Sequence, residues 1–154
     1  MTKKSTTTPS GAKAHEIPVL REWKTMFILS EHWKSDLAFF QDEVAFFSLL
    51  LDKYLLTLID NNHIDHTRHL VTGLTEFEKK RLALGEQVNK HLLSLRKLVQ
   101  DPFAQDSQVV RNQHEQLEAA IADFTKNFRT LKKEVFSLAE SAMTSEKAKH
   151  LLES

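Results

Sequence analysis

From Trp33 onward the apolar residues step along the chain by 4, 3, 4, 3, 4, 3 and 4 positions, through Leu37, Phe40, Val44, Phe47, Leu51, Tyr54 and Leu58. This spacing keeps one stripe on one side of a helix. A β-strand, whose side chains alternate between two faces, does not reproduce it. The same register runs back through Ser30 to Met26, Trp23 and Val19, and Pro18 suits a first helical turn, where its missing N–H is no loss. The spacing therefore predicts a helix A over about residues 18–60. Ser30, a polar member of the seam, leaves two readings open: helix A continues through it, or it breaks there and Ile17–Leu29 folds back as a separate helix.

Two more seams follow at the same period. After the turn Asp60-Asn61-Asn62, helix B runs through Leu70, Leu74, Phe77, Arg81, Leu84, Val88, His91, Leu95 and Leu98. Pro102 stops it, because proline can neither donate its backbone hydrogen bond nor continue the turn. Asp106 or Ser107 is placed to cap helix C, whose seam is Val110, His114, Leu117, Ile121, Phe124, Phe128, Leu131, Val135 and Leu138. Thr144–Ser154 either extends helix C or frays. Three Gly and three Pro in 154 residues are too few for the turns of an all-β fold. The expectation is an all-α, antiparallel up-down-up bundle of three helices of about 36 residues and ~54 Å each, completed to four by segment 17–29 or by dimerisation. Residues 16–154 form this single domain, and the polar, Ser/Thr-rich residues 1–15 a disordered tail.

Composition narrows the function class. Lys plus Arg and Asp plus Glu number 21 each, so no net field attracts nucleic acid. No uncharged apolar run approaches the ~20 residues of a membrane span. The lack of Cys excludes disulfides and thiolate chemistry and suits a cytoplasmic location. No Gly-rich phosphate loop, nucleophile elbow or paired-carboxylate motif is present, so no enzyme is expected and no cofactor is assigned.

Helix A carries a second stripe on its outer side, Phe39, Asp42, Phe46, Leu49, Lys53 and Leu56, again stepping by 3 and 4. A helix apolar on two sides must be covered on two sides. Left bare, Phe39, Phe46, Leu49 and Leu56 expose several hundred Å² of contiguous apolar surface, uncommon on a monomer. Three covers are open: a symmetry mate, the folded-back segment Ile17–Leu29, or an unidentified protein partner or membrane surface. The homodimer leads, two-fold self-association being the commonest assembly; Asp42 and Lys53 then pair if the copies run antiparallel. Helix C presents a wet outer face, including Arg111, Glu118 and Lys132.

Folding the chain at its turns opposes residues of A and B whose numbers total roughly 124, and of B and C whose numbers total roughly 206. This layering places Arg81 against Glu43 as a buried ion pair, since a buried guanidinium needs a carboxylate. It also places His91 against His114. Facing imidazoles either form a hydrogen-bonded polar layer or bind a divalent metal, and the latter makes a metal- or small-ligand-binding bundle the alternative function. No Glu-x-x-His pair exists, which disfavours a di-iron centre. His63, His66 and His69, with Asp65, read as a solvated first turn of helix B rather than a metal clip.

Overall fold

The structure, a computed structural model, describes residues 16–153; the expected disordered tail lies outside them. Four helices follow in order: α1 (Glu16–Lys53), α2 (Leu55–Asp60), α3 (Ile64–Gln100) and α4 (Ser107–Glu153). The three long ones form the expected up-down-up bundle. The alternative in which Ile17–Leu29 folds back is overturned, because α1 runs unbroken through Ser30. Ser30 is fully buried, and its Oγ donates to the Met26 carbonyl one turn back at 2.8 Å. The hydroxyl is thus satisfied within the helix and does not open it. The chain instead leaves helical geometry at Tyr54 (φ −103°, ψ 12°), which separates α1 from the one-and-a-half-turn α2. The seam survives this interruption, since Leu51, Tyr54 and Leu58 are all buried.

The helix ends are closed as local chemistry dictates. Asn62 has φ 63°, a left-handed conformation that Asn tolerates. It lets His63 N–H reach the Leu58 carbonyl at 2.7 Å and Asn62 N–H reach that of Ile59 at 3.0 Å, capping α2. Asp106 caps α4 by accepting from Gln108 N–H at 2.9 Å. Helix C does not fray at Thr144; α4 continues to Glu153, so the three long helices are not of equal length.

The core centres on stacked phenylalanines. Phe77 lies 3.9 Å from Phe124 and 4.7 Å from Phe128, and Phe40 meets Phe128 at 4.8 Å. A smaller cluster, Trp23, Leu95, Leu98 and Val110, closes the end at the α3–α4 turn. There Trp23 is wholly buried, and its indole N–H donates to the Pro102 carbonyl at 3.0 Å. This docking holds residues 17–29 against the bundle as part of α1. In the interior of α3, Gly85 has open space around the position of a Cβ. Gly85→Ala should therefore raise the unfolding free energy by about 1 kcal/mol through helix propensity, as read by urea denaturation; an unchanged or lower value contradicts the open position.

The first and last long helices are parallel, and polar rungs at one constant offset join α4 to α1 and, for the third, to α2. Arg111 clasps Glu22 with bonds of 2.7 and 2.8 Å, Lys132 Nζ donates to Glu43 at 3.2 Å, and Thr57 donates to Glu146, each pair 89 residues apart. The rungs succeed one another after 21 and 14 residues, whole numbers of heptads. They occupy flanking positions beside the apolar seams, as the interhelical charges of coiled coils do, where they specify register more than they add stability. Arg111 and Lys132 are thus not on a wet outer face, as the sequence had suggested. Arg111 also lies over the Trp23 ring at 5.4 Å, and its hydrogen bonds hold the Glu22 carboxyl below the usual carboxylate range.

Candidate functional site

The outer stripe that runs from α1 onto α2 is one apolar face that the fold leaves open; isolated apolar side chains such as Ile28, Leu82 and Leu93 are exposed elsewhere. Phe39, Phe46 and Leu49 on α1 and Leu56 on α2 are 60, 52, 68 and 77% exposed, although each is large and apolar. No segment of the described chain covers them. Among the described residues, the only ring contact of Phe46 is with its chain neighbour Phe47. Asp42 and Lys53, also exposed, form no ion pair among the described residues; the Lys53 ammonium lies 5.3 Å from the Tyr54 ring centre. The stripe persists past Tyr54 because the buried seam does, which keeps Leu56 on the outer side. No helix of the described residues is long and apolar enough to cross a membrane.

The buried polar residues are where the layering put them, with one change of partner. Arg81 is buried but does not meet Glu43. It forks onto Glu78, one turn back on its own helix, with Nη2 donating to Oε2 at 2.9 Å, while Glu43 accepts from Lys132. The expected Glu43–Arg81 pair is therefore replaced by two others. Layer arithmetic fixes height along the bundle but not direction around each helix, and Glu43 turns toward α4 rather than α3. The hydrogen bond and charge of Glu78 raise the Arg81 pKa further.

His91 and His114 do face each other across α3 and α4, both buried, with His91 Nε2 2.9 Å from His114 Nδ1. Trp33 of α1 covers His114 at 4.7 Å between ring centres. His91 Nδ1 is buried with no hydrogen-bond partner. An orphaned N–H there would cost more than an orphaned lone pair. We therefore assign the bridging proton to His91 Nε2, which donates to His114 Nδ1. Burial pushes His91 down to about 4, with the nearby His114 adding to the effect. Burial also lowers His114, against the upward pull of Glu118, Glu115 and Glu22. The pair is thus a neutral polar layer at pH 7.

As a metal centre the pair is incomplete. Zinc requires at least three protein ligands, and no group of three or more His, Cys, Asp or Glu able to hold an ion occurs among the described residues. His63, His66 and His69 do not converge either; His66 lies 3.9 Å from the Glu134 carboxylate, and both are well exposed. Beside His91, a cavity of about 260 Å³ is lined by Gln87, Lys90, Ser94, Gln113, Gln116 and Leu117. Between α3 and α4 a longer groove of about 730 Å³ runs from Gln87 to His69, where a Cβ added at Gly73 would stand 3.3 Å from a Leu131 side-chain methyl. The sequence pattern pointed to neither, because grooves arise from where helices diverge rather than from the period within one. Compared with known protein families, curated proteins and solved structures, the chain shows no match.

Proposed function

We propose that this chain is a non-enzymatic helical-bundle protein that acts through protein contacts and associates with itself through the outer face of α1. One observation carries the reading: four large apolar side chains in one line remain bare of any cover by the described residues. Covering each is worth about 1.5–3 kcal/mol, and the sum suffices to offset the ordering costs of association. A cytoplasmic location belongs to the same reading and is supported by the lack of cysteine.

Sedimentation equilibrium across the micromolar range tests it. The wild type should reach twice the 17.8 kDa chain mass. Phe46→Asp should raise the dissociation constant by roughly 100-fold while leaving far-ultraviolet helicity unchanged. A wild-type protein that stays monomeric throughout overturns the proposal. The competing reading, a ligand-binding bundle, is favoured by the unpartnered His91 Nδ1 and the cavity beside it. Elemental analysis of untagged protein separates the two: a stoichiometric metal that His91→Ala removes would put the ligand-binding reading first.

A further inference from the structure

The structure assigns a direction and a register to the self-association, an inference that rests on the self-association reading: two copies meet antiparallel, with a two-fold axis passing between Phe47 and Ser48. The outer stripe reads Phe39, Asp42, Phe46, Leu49, Lys53, Leu56, so its character runs apolar, charged, apolar, apolar, charged, apolar and its steps run 3, 4, 3, 4, 3. Both sequences read the same from either end, except that the two charges have opposite sign. Laid antiparallel on its own copy about that axis, the stripe sets Phe39 against Leu56, Asp42 against Lys53 and Phe46 against Leu49, and each contact occurs twice. An isologous interface requires this self-complementarity.

Charge decides between the two directions. In a parallel pairing Asp42 meets Asp42 and Lys53 meets Lys53, and like charges opposed across an interface are repulsive. In the antiparallel pairing both become opposite-charge pairs flanked by apolar contacts. Neither Asp42 nor Lys53 has an ion-pair partner among the described residues of its own chain, so both are free to make that contact. The charged residues of the α1–α4 rungs, Glu22, Arg111, Glu43 and Lys132, are by contrast already matched within the chain. The axis sits toward the α2 end of the bundle. The copies therefore overlap over about residues 35–60, roughly 38 Å of helix, and the Trp23 ends project on opposite sides.

Charge exchange and cross-linking test this in the full chain, whose lack of cysteine gives a clean background. Asp42→Lys alone should raise the dissociation constant about tenfold, as should Lys53→Asp alone. The double exchange Asp42→Lys/Lys53→Asp should return it to within about threefold of wild type. Asp42→Cys/Lys53→Cys, oxidised and digested, should yield peptides joining position 42 of one copy to position 53 of the other. Dimers that cross-link 42 to 42, or that do not respond to either single exchange, overturn the direction and leave the self-association reading standing. A wild-type chain that never dimerises overturns both. All these substitutions replace exposed side chains, and unchanged helicity confirms that each variant folds.

Discussion

Trp23→Ala is expected to lower the unfolding free energy by about 3–5 kcal/mol, the range for removing a large buried aromatic side chain. For a chain of this size this corresponds to a melting temperature roughly 10–15 °C lower. The indole is wholly buried among Leu95, Leu98 and Val110, donates to the Pro102 carbonyl, and lies under the Arg111 guanidinium. Three elements are thus fastened at one side chain: the start of α1, the α3–α4 turn and the start of α4. Trp23→Phe should cost less, keeping most of the apolar contact but leaving the carbonyl unpaired. Urea denaturation with a fluorescence readout from Trp33 measures both. An alanine cost below about 1 kcal/mol would mean that the first third of α1 is not docked as the structure has it.

Acid should weaken the fold through the His91–His114 layer before the carboxylates contribute. Burial holds the folded pKa of His91 at about 4, against the ordinary value of 6.5 that it regains on unfolding. Between those values the unfolded chain binds more protons than the folded one, so stability rises with pH across the window and falls as pH drops through it. His91 alone accounts for a loss on the order of 3 kcal/mol by pH 4, because each tenfold difference in proton affinity between the folded and unfolded chain is worth about 1.4 kcal/mol. His114, lowered by the same burial, adds to the loss in the same direction. The Glu22 carboxyl, lowered by Arg111, contributes stability that is lost only below its unfolded pKa of 4.5, at the acid end of the range. Unfolding free energies measured from pH 7.5 to pH 4.5 should therefore slope, and the slope should flatten in His91→Leu/His114→Leu, which removes both partners together. A flat wild-type profile would show that the pair is not held neutral.

The seams were legible because a 3–4 spacing records which side of a helix is dry, and every seam residue from Trp33 to Leu58 except Phe40 is buried, with Phe40 packed partly against the core. The facing of His91 and His114 followed from length alone, since two antiparallel helices joined by a short turn align by arithmetic. Direction around each helix does not follow from the same arithmetic, which is why Glu43 was matched to Arg81 rather than to Lys132. Nor did the pattern show that Arg111 and Lys132 reach α1. Each directly follows a seam position, Val110 or Leu131, and its acidic partner lies 89 residues away on a helix that only the folded chain makes adjacent. Of the two readings open at Ser30, the continuous helix is the one found, because a serine can bond its own helix's carbonyl. The outer stripe stood out by its repetition, and among the described residues its four large apolar side chains, Phe39, Phe46, Leu49 and Leu56, are exposed.

Because α1 and α4 run the same way, a chain that crosses the bundle three times finishes at the pole opposite its start. Glu16 and Glu153 are separated by about the length of α4, on the order of 70 Å. A circular permutant that joined them would need a linker of roughly 20 residues merely to reach. Domains joined directly at Glu16 and Glu153 would be held apart by the length of the bundle, and fluorophores placed at those two residues would exchange little energy until the bundle unfolds.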